Sequence, residues 1–194
     1  MYQTSAAATL IVERATAAAM SGQGALHEAL DDLPAAIYVT DADGLVTYFN
    51  TACIAFSGRM PEVRRDRWCV SWKLRTLAGE PLPHDACPMA VAVKSGRPVR
   101  GMRAVAERPD GTRVTFQPHP TPLFDDEGRI RGAVNILIDV TDEMQASLLR
   151  QRAQKCRRLS MSVGDLQASE TLDAMAAEYD AKARQLDQGS PPAS

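Results

Sequence analysis

Alternation of apolar and polar side chains is strongest between residues 99 and 141. Three segments there (99–108, 112–123 and 129–139) are separated by Asp110-Gly111 and by Asp125-Asp126-Glu127-Gly128. Asp-Gly between alternating runs marks a hairpin, because glycine accepts the positive φ that a tight reversal requires. Val114 and Phe116 share one face of the second segment, and Val134, Ile136, Ile138 and Val140 recur with period two in the third. Each pattern predicts a strand with a buried face. Upstream, residues 37–40 and 45–49 form a further hairpin around Asp41-Ala42-Asp43-Gly44.

Elsewhere the period is helical. Asn50 is placed to cap a helix over 51–57 that Gly58 ends, and Asp85 one over 89–94 that Ser95-Gly96 stops. Residues 61–83 follow no clear period. Residues 1–30 are Ala-rich, with Leu10, Ile11, Ala17, Ala18 and Met20 as a weak apolar stripe, and read as a helical flank. After the last strand, Thr141 or Asp142 caps a helix continuing through 144–159, with Met144, Leu148, Cys156 and Leu159 along one face. A final helix carries Leu172, Met175, Ala176, Tyr179, Ala183 and Leu186 at 3.6-residue spacing. The first of these helices is basic (Arg150, Arg152, Lys155, Arg157, Arg158) and the second mostly acidic (Glu170, Asp173, Glu178, Asp180), which predicts an antiparallel helical hairpin over 142–187. Residues 188–194 read as a disordered tail. Two strands, short helices and three further strands give an α+β layout: one five-stranded antiparallel sheet with helices on one face, flanked by N-terminal and C-terminal helices.

Composition narrows the function classes. The chain has 194 residues and a formal net charge of −2, so no global charge recruits nucleic acid. No apolar run is long enough to span a bilayer, and no basic segment precedes an apolar one at the start as in a signal peptide. Cys53, Cys69, Cys87 and Cys156 lie far apart with no CxxC pair, which predicts reduced thiols in a cytoplasmic protein.

Three stretches together resemble the PAS family of sensor domains. They are Leu33-Pro34-Ala35-Ala36-Ile37-Tyr38-Val39-Thr40-Asp41 with Gly44 and Asn50, then Arg108-Pro109-Asp110-Gly111-Thr112, then Gly128-Arg129-Ile130-Arg131-Gly132-Ala133-Val134 through Asp139-Val140-Thr141-Asp142. The resemblance places a sensor domain over 31–141. It implies a cupped sheet with helices over a small apolar cavity, and flanking helices that dimerise and relay a signal. Residues placed to line such a cavity are Phe49, Ile54, Phe56, Trp68, Trp72, Met89, Val93, Phe116, Asn135 and Ile136, since ligand pockets are mainly apolar with few polar anchors. A solid core made of the same residues is an equally good reading. The relay would run through Asp139, Thr141, Asp142, Met144 and Leu148.

Cys69, His84 and Cys87 offer metal-ligand atom types, with His84 and Cys87 spaced for one turn, although no fourth ligand is evident. Haem-binding members of the family carry an axial His on or beside the helix before the last three strands. His84 falls just ahead of that helix, and His119, set among Pro118, Pro120 and Pro122, has the parity of a solvent-facing residue. Flavin-binding members carry a Cys in an Asn-Cys-Arg-Phe-Leu-Gln helix, which Arg67-Trp68-Cys69-Val70-Ser71-Trp72 does not match, though Gln117 and Asn135 occupy strands where flavin-contacting amides would sit. Phosphate loops and nucleophile elbows are absent from the sequence, and no His follows His119 to accept a phosphoryl group. The expectation is a non-enzymatic bacterial PAS sensor or adaptor. It is a homodimer, with a small apolar ligand as an option, and it regulates a separate histidine kinase or transcription regulator by protein–protein contact. The alternatives are a cofactor-bearing sensor (haem at His84 with Cys87, or less favoured metal, redox or flavin chemistry) and a purely structural dimerisation module.

Overall fold

A computed structural model describes residues 30, 31, 33 and 35–188. The expected N-terminal flank and C-terminal tail fall outside this range, apart from Leu30 and Gln188. The described chain divides into two compact units between Asp139 and Val140.

The first unit contains β1 (Ala36–Asp41), β2 (Val46–Phe49), α1 (Ala52–Ser57), β3 (Lys73–Arg75), a 3-10 turn at His84–Ala86, α2 (Pro88–Ser95), β4 (Ala104–Glu107), β5 (Arg113–Pro118), β6 (Thr121–Phe124) and β7 (Ile130–Asp139). All pairings are antiparallel, in the order β2-β1-β7-β5-β4-β3, and β6 also pairs with β7. The five strands expected from alternation are all present. The fourth is divided at His119 and Pro120, into halves that pair with different stretches of β7, because Pro120 has no N–H to give the ladder. β3, in the segment without a readable period, adds a short edge beyond β4. The third predicted strand is shortened to Ala104–Glu107, since Gly101 turns the chain at φ +73°.

Strand parity sorts the core into two layers. Ala36, Tyr38, Leu74, Ala104, Ala106, Val114, Phe116, Ala133 and Leu137 face the layer that contains Cys53 and Phe56 of α1 and Met89, Ala90 and Val93 of α2. Ile37, Val39, Tyr48, Val134 and Ile136 face the other way, against Leu30, Leu33 and Ala35. Both helices therefore cover the same sheet face.

Several caps differ from expectation. The Asn50 side chain does not cap α1. It is fully buried, accepts from Ile37 N (2.9 Å) and donates to the carbonyls of Leu30 (3.0 Å) and Ala35 (2.9 Å). Asp85 lies in the 3-10 turn, while Cys87 precedes α2 and Pro88 opens it, where a missing N–H costs nothing. Gly132, at φ +149°, lets β7 approach β1 so closely that an added Cβ would stand 1.8 Å from the Thr40 carbonyl oxygen.

The edges of the sheet are closed in two ways. Beside β2, Val46 N donates to Asp66 O (2.9 Å) and Arg64 N to Val46 O (2.8 Å), so a loop occupies the open side. On β3, Lys73 and Arg75 flank Leu74, and Glu107 receives Arg75 (2.7 Å) and Arg113 (3.1 Å). Charge on a three-residue edge opposes further strand addition.

The second unit is α3 (Thr141–Ser160) and α4 (Leu166–Asp187), joined by residues 161–165. Of the expected stripe of Met144, Leu148, Cys156 and Leu159, Cys156 lies in the seam. Ala153 and Cys156 of α3 pack with Ala176, Leu172 and Tyr179 of α4, and Leu148 and Leu159 are half exposed. Small residues win the interface because they let two antiparallel helices approach closely. Asp165 caps α4 by accepting from Ala168 N (2.7 Å), and Val140 precedes α3 without a side-chain cap.

Replacing Asn50 by Ala removes one bond to the β1 backbone and leaves two buried carbonyls without their partner. The expected loss is about 2–4 kcal/mol in denaturant unfolding; a loss under about 0.5 kcal/mol would show that water replaces the amide.

Candidate functional site

The helix-covered face of the sheet carries a connected set of buried polar groups. Tyr38 and Asn135 are directly paired residues of β1 and β7, which puts both side chains on that face. Asn135 Nδ2 donates to the Tyr38 hydroxyl (3.0 Å), and the hydroxyl donates to the Trp68 carbonyl (2.9 Å). On its other side Asn135 Oδ1 accepts from His119 N (3.0 Å), and that N–H also meets Ile136 O (2.9 Å). One amide thus spans the paired strands, the division between β5 and β6, and, through Tyr38, the loop before β3.

Trp68 supplies its carbonyl from a left-handed backbone, φ +66°, which is uncommon for a bulky residue. Its N–H donates to Gly44 O (2.7 Å), and its ring covers Gly44 so tightly that an added Cβ would stand 2.3 Å from a ring carbon. Lys94 Nζ lies 5.4 Å from the ring centroid. The same carbonyl receives the Cys87 thiol at 3.7 Å, while the Cys69 thiol meets Ser71 Oγ at 3.4 Å and the Tyr38 hydroxyl. Burial pushes Cys53 and Cys87 up to about 12 and raises Cys69 and Tyr38 in the same direction. These thiols stay protonated at neutral pH, which makes them poor nucleophiles.

Of the residues placed on a cavity wall, Phe56, Met89, Val93 and Phe116 are buried together, with Phe49 and Trp68 packed against them. Phe56 and Phe116 meet edge to face at 5.2 Å. Asn135 is 2% exposed on the same face. Ile54 is half-buried and outside that cluster. Trp72 is 52% exposed, and Ile136 belongs to the opposite layer, because neighbouring residues of one strand cannot share a face. Asp139 ends β7, and Thr141, Asp142 and Met144 lie in the first turn of α3.

The cofactor alternatives meet specific obstacles. Among the described residues no three His, Cys, Asp or Glu side chains form a metal-binding group, so Cys69, His84 and Cys87 do not converge as ligands. His84 lies beside the Arg59–Asp66 ion pair (2.7 Å), and burial, then the Arg59 guanidinium, lowers its pKa. Gln117 and Asn135 occupy opposite faces of the sheet, Gln117 contacting Arg103 (3.5 Å) and His119 Nε2 (3.3 Å), so they cannot clamp one flavin. His119, expected at the surface, is 4% exposed: the strand division turns its ring against Gln117.

Three features are not legible in the sequence: the Tyr38 hydroxyl's role, the inward Trp68 carbonyl and Thr40, whose buried Oγ1 has no hydrogen-bond partner among the described residues. The parity of Tyr38 with Ala36 was the available signal for its face. A left-handed Trp68 leaves none.

A Tyr38→Phe variant keeps the ring but strips Asn135 Nδ2 and the Trp68 carbonyl of a partner. It should lose about 1–3 kcal/mol, read as a shift in denaturant midpoint at constant slope. Histidines give the pH dependence. Burial, then Arg100, lowers His119 below its ordinary 6.5, and His84 is lowered likewise. The unfolded chain takes up these protons first, so stability is full above about pH 6.5 and declines as pH falls from there toward the native values. A His84→Gln/His119→Gln double variant should flatten the unfolding free energy between about pH 7 and 5, and an unchanged slope would assign the decline to other groups.

The sequence profile of the PAS fold matches residues 30–145. No curated protein matches the chain. Among solved structures, an RNA-binding light-oxygen-voltage receptor is similar at 25% identity and TM-score 0.51, over 62% of this chain but only 34% of the receptor. The PAS domain of a protein from Colwellia psychrerythraea is similar at 22% identity and TM-score 0.42, over 59% of this chain and 92% of its own. The light-oxygen-voltage domain of a blue-light activated histidine kinase from Erythrobacter litoralis is similar at 21% and 0.42, over 55% and 96%. The profile covers more than half the chain, curled antiparallel sheet and covering helices included: the chain belongs to the PAS fold family of sensor domains.

Proposed function

We propose that this chain is a sensory adaptor of bacterial signal transduction that regulates a separate protein, such as a histidine kinase or a transcription regulator, by direct contact and without catalysis of its own. One observation carries the reading. The strand that holds Asn135 at the centre of the buried network runs to Asp139, and a single residue, Val140, separates it from the twenty-residue helix α3. Any change in hydrogen bonding around Tyr38, Asn135 and Trp68 alters the strand that leads into that helix.

The sensing element is the helix-covered face, with Phe56, Met89, Val93 and Phe116 around the Tyr38–Asn135 pair. A small apolar ligand there would act by favouring one arrangement of that pair over another, since a ligand shifts an equilibrium only by its differential affinity. The output element is the helical unit, and the working form is a homodimer. Among the described residues no helix is long and apolar enough to cross a membrane; the site of action in this reading is the cytoplasm.

The test uses the tagged chain recovered from its own host, beside a chain lacking residues 144–194 whose fold is checked by circular dichroism. A partner recovered by the full chain and lost with the helices supports the reading. A partner and dimer mass unchanged by the truncation would overturn it.

A further inference from the structure

The helical hairpin has two unlike broad faces. At 3.6 residues per turn, Arg150 and Arg157 project to one flank of the α3 seam. There they pair with Asp187 and Asp180 of α4, which close that face with ions from both helices. The other flank of α3 presents Leu148, Arg152, Lys155 and Leu159 within about 60° of one another. Met175 lies on the matching flank of α4, away from Asp180 and Asp187. Leu148, Leu159 and Met175 are 50%, 47% and 40% exposed. Arg152 and Lys155 have no ionic or hydrogen-bond partner among the described residues, and Lys182 on the same face is paired internally with Glu178 (2.6 Å). The seam itself is filled by Ala153, Cys156 and Ala176 with Leu172 and Tyr179 packed against them, while Leu148, Leu159 and Met175 stand outside it.

We propose that this second face is a docking surface for an acidic amphipathic helix of the partner protein, which completes a three-helix bundle. The inference rests on the adaptor reading above and names the surface it uses. Leu148 and Leu159 are eleven residues apart, about 16 Å along the axis, with Met175 level with the stretch between them. That spacing fits apolar residues repeating on one side of an incoming helix over three turns. Acidic residues beside them would meet Arg152 and Lys155, which otherwise stand as unpaired cations between exposed apolar groups. A second copy of this chain does not fit as well, because two-fold pairing through this face brings the same cations together.

The probe is a labelled helical peptide of about five turns with Leu at heptad core positions and Glu elsewhere, titrated into the full-length protein by fluorescence anisotropy. Its Lys counterpart and a sequence-scrambled Glu version serve as controls. The Glu peptide is expected to bind in a salt-sensitive way and to weaken about tenfold or more in an R152E/K155E variant, which should gain affinity for the Lys peptide. Circular dichroism confirms that the variant remains helical. Equal binding of the Glu, Lys and scrambled peptides, or no binding by any, overturns the proposal. So does a change of oligomeric mass in R152E/K155E, which would mean that a second copy covers the face, or capture by anionic phosphatidylglycerol vesicles that the same variant abolishes. If R152E/K155E still recovers the partner that truncation loses, the adaptor reading stands and this surface is wrong.

Discussion

Everything in the first unit depends on how β7 satisfies a strand that is broken beside it. His119 and Pro120 interrupt the hydrogen-bond ladder in the middle of the sheet, where an unpaired polar group is costly. At the break the His119 N–H keeps a main-chain bond to the Ile136 carbonyl, and Asn135 reinforces it from the neighbouring strand: its side-chain oxygen also accepts that N–H, and its amino group reaches across to Tyr38 on β1. Buried networks of this kind are costly when any member is missing, because each remaining group then loses a bond that water cannot replace. The interior of this sensor domain is therefore defined by polar complementarity as much as by apolar packing.

The same arrangement bears on what the domain can sense. Three of its thiols are buried and held protonated, its two strand amides point to opposite faces, and its half-buried histidine sits against a guanidinium. At the centre of the helix-covered face stands a hydrogen-bond pattern built on a phenol whose carbonyl partner comes from a left-handed tryptophan. Such backbone conformations are maintained only when surrounding structure enforces them. Here Gly44 beneath the ring, Lys94 above it and the Tyr38 and Cys87 donors supply that enforcement.

The alternation of Val114 with Phe116, and of Val134 with Ile136 and Ile138, made the sheet legible in sequence, because a period of two has one structural meaning once turns bound it. The helices were legible from their glycine stops at Gly58 and Gly96. The division at His119–Pro120 was not, since three prolines in one segment read as a frayed strand end rather than as an internal break bridged by a side chain sixteen residues further along the chain. Asn50 looked like a cap because caps and buried backbone clasps use the same residue type. On α3, Cys156 falls in the seam as its spacing indicates, but Leu148 and Leu159 do not, because helical periodicity favours large apolar residues whereas this close helix pair buries Ala153 and Ala176. Ile136 was assigned to the cavity by its hydrophobicity, although its neighbour Asn135, one residue earlier, already determined which side it must take.

Closing both sheet edges has a consequence for association. Among the described residues, the open side of β2 is taken by the backbone of residues 64–66, and β3 is short, flanked by cations and met by Leu82 N at the Leu74 carbonyl, so neither end strand of the β2-to-β3 path offers a free edge to a strand from another chain. Recognition by main-chain hydrogen bonding tolerates many sequences, because every peptide offers the same donors and acceptors. At these two strands that permissive mode is closed. A contact there is read through side chains, residue by residue, as a matter of sequence rather than of backbone availability.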